Sequence, residues 1–122
     1  MSQTSTDIGI SVIVPVHNGG EKFRRCLASL KEADLIPNEI IVIADGDTDG
    51  SWLLARSFGV QVSRFPSPGG PGRARNLGAS LARGEILFFV DADVIVPPAV
   101  IGEVITIFKR EPSLAALFGS YD

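Results

Sequence analysis

The feature that most constrains this chain is its regular alternation of short β-branched runs with amphipathic helical stripes. Ile10 to Val16 is a near-continuous apolar run, closed by His17, Asn18 and two glycines. A run of that kind suits a strand buried on both faces of a parallel sheet. Phe23, Leu27 and Leu30 then recur at helical spacing, with Glu21, Lys22, Arg24 and Arg25 on the opposite face. Glu39 to Ala44 predicts a second strand, and Trp52, Leu53, Ala55 and Phe58 a short helix closed by Gly59. Val60 to Phe65 predicts a third strand before the breaker-rich segment Pro66 to Gly72. Ala74, Leu77, Gly78 and Leu81 form the inner stripe of the next helix, and Glu85 to Val90 is a fourth strand. Ile101, Val104, Ile105 and Phe108 mark a last helix, and Leu114 to Phe118 is expected to start a fifth strand. Short strand–helix–strand connections require right-handed crossovers, so the expected fold is α/β, a doubly wound and mainly parallel sheet.

In such sheets ligands bind beyond the carboxyl ends of the strands. His17 and Asn18 follow the first strand, Asp45 the second, and Asp91 and Asp93 the fourth. In extended backbone, residues i and i+2 project to one side, so Asp91 and Asp93 are expected to share a face. Two carboxylates at about 4 Å and an effective dielectric near 20 repel by about 4 kcal/mol. A cation removes that cost, and Mg²⁺ typically takes one or two carboxylates plus phosphate oxygens. On spacing alone, two solvated acids before Pro97 fit the residues equally well.

Other clusters are weaker. Asp45, Asp47, Asp49 and Gly50 open like a calcium-binding loop, but Arg56 stands where a bidentate glutamate is required. Asp49 is more simply a helix N-cap, and Asp45 is free to face a ligand. The run Gly69-Gly70-Pro71-Gly72 leads into a helix, whose free N–H groups and dipole favour an anion. It matches neither common nucleotide-binding glycine motif. Arg73 and Arg75 lie in that first turn against the helix dipole, which hints at an anionic partner. His17 is the only histidine, so a histidine-based metal site is not expected, and no G-x-S-x-G elbow is present. An aspartate phosphotransfer domain would want a lysine beside its acids, and none follows the acid-bearing strands.

The 122 residues, 45% hydrophobic and 20% charged, suit one globular domain. A net charge of -3 gives no support for a nucleic-acid partner, so any anion must be held by local features. Cys26 is the only cysteine, which excludes an intrachain disulfide, suits a reducing compartment, and reads as a core residue. Met1 to Asp7 lack the pattern of a signal peptide, and no apolar run approaches the roughly 20 residues needed to span a bilayer. The expected location is cytoplasmic, with membrane association possible through a longer parent protein or a partner.

Taken together, SVIVPVHN at Ser11 to Asn18, EIIVIADGDTDGS at Glu39 to Ser51, GRARNLGASLARGE at Gly72 to Glu85 and FFVDAD at Phe88 to Asp93 resemble the family 2 glycosyltransferases. The resemblance runs from Ser11 to about Val100 and implies the GT-A (Rossmann-like) fold. It implies that Pro15, His17 and Asp45 cradle the base of a nucleoside-diphosphate sugar, with a UDP-sugar favoured, and that Arg75 and Asp91 lie near the donor. It further implies that Asp91 and Asp93 hold Mn²⁺ or Mg²⁺, the second acid as the direct ligand, against the leaving diphosphate. The family often has two acids after the second strand, whereas the first is Ala44 here. Inverting members take an aspartate base from a later segment that also forms the acceptor side, and no residue up to Asp122 matches it. The chain is therefore expected to be one donor-binding domain spanning 1–122, incomplete before the acceptor-binding part, with no catalytic base. The acceptor, whether glycan, lipid or protein, is unknown, and a truncated non-catalytic binding or assembly module is the alternative. An open sheet edge also makes a homodimer an expectation.

Overall fold

The computed structural model describes residues 9–111. Four strands, β1 (Ile10–Val16), β2 (Glu39–Asp45), β3 (Gln61–Phe65) and β4 (Ile86–Phe89), alternate with four helices, α1 (Gly20–Lys31), α2 (Ser51–Ser57), α3 (Pro71–Leu81) and α4 (Val100–Arg110). All pairings are parallel and the strand order is β3-β2-β1-β4. The first three strands step outward in one direction, and β4 returns to the other side of β1. Winding therefore reverses between β1 and β4, where a doubly wound sheet opens a crevice.

The two faces of the sheet divide by strand parity. Ile10, Val12, Val14 and Val16 with Ile40, Val42 and Ala44 pack against Phe23, Cys26, Leu27 and Leu30 of α1, Ala55 of α2, and Ile101 and Ile105 of α4. Ile41 and Ile43 pack on the other face against Ala74 of α3. There α3 comes unusually close: a Cβ on Gly78 would meet Ile13 Cγ2 at 2.4 Å, so the approach depends on a residue without one.

The sequence-predicted elements are all present between residues 9 and 111, with ends differing by a residue or so. The expected inner position Leu81 faces water instead, at 42% exposure, and so does Leu53 of α2, at 53%. Helix α2 buries Ser51 and Ala55, and Leu53 lies about 200° around the helix from Ser51. Leu81 falls in the last turn of α3, beyond its last buried residue, Gly78. The strand expected over Leu114 to Phe118 lies outside the described residues.

Candidate functional site: the crevice at the carboxyl ends of the strands

Pro15 shapes the crevice. Alternate residues of a strand direct their backbone groups to the same neighbour. The Ile13 carbonyl accepts from Val90 N–H at 2.9 Å on the β4 side, so a residue 15 N–H would also point there. Proline has none. The β1–β2 ladder continues through Pro15↔Ile43 to Val16↔Ala44, whereas β1–β4 pairing ends at Ile13↔Phe89. The chain past Val90 is thus released from β1 at the point where the winding reverses.

Beyond Val90 the released chain turns. Val94 N–H donates to the Asp91 carbonyl at 3.1 Å, with Ala92 and Asp93 at the corner. The extended geometry expected of this pair is not adopted, because no ladder bond holds the backbone straight beyond Val90. Asp91 and Asp93 instead occupy the first and third positions of one β-turn, and both are exposed. Their oxygens are hard donors, and among the described residues no group of three or more His, Cys, Asp or Glu could hold a metal. Two protein carboxylates with the remaining positions left to water and phosphate oxygens suit Mg²⁺ or Mn²⁺. Beneath the turn, the buried Cys26 thiol donates to the Asp91 carbonyl at 3.7 Å. Burial and the charges of Asp93 and Asp91 push that thiol's pKa up to about 12, so it stays protonated.

On the other side of the crevice, His17 Nδ1 lies 2.8 Å from the Asp45 carbonyl. A carbonyl can only accept, so Nδ1 carries the proton and Nε2 is the face near Asn18 Nδ2, at 3.4 Å. Asn18 adopts a left-handed φ of 52° and its Oδ1 accepts from Thr48 N–H at 2.7 Å and Asp49 N–H at 3.2 Å. Asp49 accepts from Ser51 N–H at 3.0 Å and Gly20 N–H at 3.2 Å, so it serves the starts of α1 and α2 together. Among the described residues Asp47 reaches only Trp52 N–H, at 3.5 Å. Of the three acids of the apparent calcium loop, Asp45 thus binds the Gly69–Gly70 backbone while Asp47 and Asp49 bind the start of α2, and they do not converge on a cation.

Asp45 departs most from the sequence expectation. The residue is 5% exposed and its carboxylate oxygens are engaged rather than free. It accepts from Gly69 N–H at 3.0 Å, Gly70 N–H at 2.9 Å and Arg73 Nη2 at 2.8 Å. Burial alone would raise the Asp45 pKa, but the Arg73 hydrogen bond, the Gly69 and Gly70 amides and the guanidinium charge outweigh it and hold the carboxyl below the usual aspartate value. The anion at the glycine-rich entrance to α3 is therefore the protein's own Asp45. Arg73 also donates to the Ser67 carbonyl at 2.6 Å and stacks over Phe65, 3.7 Å from the ring centroid. Its placement against the helix dipole is visible in the sequence; its partner is not. Arg75, one position past buried Ala74, is exposed and makes no ion pair among the described residues.

A second polar cluster lies at the amino ends of the strands, where Glu39 accepts from Ser11 Oγ at 2.6 Å, Arg83 N–H at 2.6 Å and Gln61 Nε2 at 2.7 Å. It ties the α3–β4 connection to the sheet, away from the crevice.

A parallel sheet in this order, with acids on the β4 side of its winding reversal, defines a GT-A-like α/β domain. The Glycosyl transferase family 2 profile matches residues 11–122, and the chain belongs to that family. Glycosyltransferase GlyG of Streptococcus pneumoniae is 32% identical over 117 residues, covering 92% of this chain and 38% of that protein. The chain thus spans well under half of that relative's length. The 1–349 portion of S. aureus TarS, solved in complex with UDP-GlcNAc, superposes with a TM-score of 0.80 at 27% identity, over 86% of this chain and 32% of that one. Glucosyl-3-phosphoglycerate synthase from Mycobacterium tuberculosis, solved with Mn²⁺, UDP and glucosyl-3-phosphoglycerate, superposes with a TM-score of 0.65 at 27% identity, over 81% of this chain and 40% of that one. No helix among the described residues is long and apolar enough to cross a membrane.

Proposed function

We propose that this chain is the donor-binding part of a glycosyltransferase and holds a nucleoside-diphosphate sugar, with a UDP-sugar favoured, in the crevice between β1 and β4. The observation that carries this is the release of the chain beyond Val90 into a turn bearing two exposed carboxylates, beside the histidine end of β1. The base sits by Pro15 and His17. Asp45 acts there through the Gly69–Gly70 loop that it anchors. Arg75, exposed and without an ion pair among the described residues, supplies a cation on the donor side. Asp91 and Asp93 hold Mn²⁺ or Mg²⁺, which when bound neutralises the diphosphate as it leaves. UDP bound to the relatives TarS and glucosyl-3-phosphoglycerate synthase, the latter with Mn²⁺, supports the donor class. The acceptor and the base that would deprotonate it are not assigned to any residue here.

Calorimetry with UDP, with and without Mn²⁺, tests the reading. Mn²⁺ is expected to tighten UDP binding, and Asp93→Ala to remove about tenfold or more of that gain. UDP binding indifferent both to Mn²⁺ and to Asp93→Ala would sink it.

A further inference from the structure

The segment from Val90 to Ala99, which carries both acids, belongs to no strand or helix. It is nevertheless tied along α1 and the residues just after it. The Cys26 thiol donates to the Asp91 carbonyl at 3.7 Å, Val96 N–H donates to Ser29 Oγ at 2.9 Å, and Asp34 N–H donates to the Pro98 carbonyl at 2.8 Å. Ser29 is the unexpected member. It is 9% exposed in the interior of α1, where alanine would be the better helix former. Its hydroxyl proton goes to the Cys26 carbonyl at 2.7 Å, which turns its lone pairs toward Val96 N–H. Between Val94 and Pro98 the other hydrogen bond to the loop backbone among the described residues is local, from Val100 N–H to the Pro97 carbonyl at 3.1 Å, so Ser29 alone ties Val96 to α1.

We propose that Ser29 is a positioning residue for the acidic turn: its buried hydroxyl, with the Cys26 thiol three residues earlier, holds the loop on α1 so that Asp91 and Asp93 meet a divalent cation in one arrangement. This rests on the proposed cation role of those acids. Without the Ser29 hydroxyl the Val96 amide has no acceptor, and the side of the turn beyond Val94 loses its attachment. The turn's own Val94 to Asp91 bond remains, so the acids stay near the crevice but lose their fixed presentation. Binding that does not pass through the cation is untouched, since His17 and the Gly69–Gly70 loop are anchored from β2.

The test uses the full chain, with UDP and Mn²⁺ as probes, and compares wild type, Ser29→Ala, Ser29→Thr and Leu27→Ala. Leu27 is buried on the same helix, so its truncation destabilises α1 without removing a hydrogen bond to the loop. In Ser29→Ala, hydrogen exchange at the Val96 amide is expected to rise, and the Mn²⁺-dependent gain in UDP affinity to fall about tenfold. Metal-free UDP affinity should hold, and Ser29→Thr, which keeps a hydroxyl acceptor, should restore the gain. The proposal is overturned if Ser29→Ala keeps the full Mn²⁺ gain. It is also overturned if Leu27→Ala loses the gain equally, because general loosening would then suffice. Loss of Mn²⁺ dependence in the wild type would overturn the cation reading itself; the Ser29 role alone fails when the wild type retains that dependence and Ser29→Ala does too.

Discussion

Asp45 closes β2 with a carboxylate that is nearly all buried, and three donors converge on it from one loop and the helix after it. Replacing one partner of such a cluster costs more than the net worth of its bonds, because buried donors are left unmatched. Asp45→Asn keeps the size but offers one acceptor oxygen, and turns an amide NH₂ toward amides and a guanidinium. It is expected to destabilise the domain by about 2 kcal/mol in denaturant unfolding, a figure that allows for the 41% exposure of the Arg73 side chain. Its pH signature has a definite sign. Asp45, Asp49 and Glu39 are each raised by burial and lowered further by their hydrogen bonds, so all three have folded values below the ordinary ones. At acid pH the unfolded chain then binds more protons than the folded one, and stability rises with pH. Their contribution is complete above the ordinary carboxylate range near pH 4 and is lost as pH falls through the lowered values. Followed by Trp52 fluorescence, the acid limb should be shallower in Asp45→Asn than in the wild type, and an identical limb would contradict the assignment. The sequence shows that an acid ends this strand and that Arg73 sits where a helix dipole disfavours it. Which groups meet depends on the path of the 66–72 loop, set by a glycine at a φ of 95° and by packing that periodicity does not encode.

Elements are legible wherever a period is strong. β1 matches its apolar run residue for residue, and the parity of β1 and β2 sorts both cores. The acidic segment is not, since spacing suggests extended backbone and the structure has a turn. The cause is itself a residue in the sequence, Pro15, whose missing N–H ends the ladder to β4, but its effect appears only once the strand order is known. Helix α3 offers a sharper test of element packing. At an open helix position Gly→Ala gains about 1 kcal/mol. At Gly78 the new methyl would meet Ile13 Cγ2 at 2.4 Å, and Ile13 is fully buried. Overpacking of that kind costs about 1–3 kcal/mol, so it overrides the propensity gain. Gly78→Ala should lower the unfolding midpoint, and Gly78→Ala paired with Ile13→Leu, which has no Cγ2, should recover part of the loss. An increase in stability for the single variant would mean that α3 does not sit so closely on β1.

At the scale of the whole molecule, the two edges of the sheet differ in kind. β3 carries Gln61, Ser63 and Arg64, and Arg64 lies over the Trp52 ring at 3.9 Å, so charge and a stacked side chain blunt that edge. β4 reads Ile-Leu-Phe-Phe and pairs only with β1 among the described residues. Ile86 and Phe88 face the core shared by α1 and α4, while Leu87 and Phe89 on the opposite face are 39% and 43% exposed. Among the described residues, helix α3 packs over β1 and β2 and leaves Leu87 and Phe89 exposed. An uncharged edge strand with an apolar face invites pairing with another chain, and a net charge of -3 spread over 122 residues gives little repulsion to oppose it. The 122-residue chain is therefore expected to self-associate through β4 as concentration rises. Phe89→Lys places a charge on the exposed face and should shift the chain toward monomer in light scattering, whereas Leu53→Lys, on exposed α2 surface away from β4, should leave the association unchanged. A wild-type chain that stays monomeric across the concentration series, or one dispersed equally by both substitutions, would show that β4 is not the associating edge.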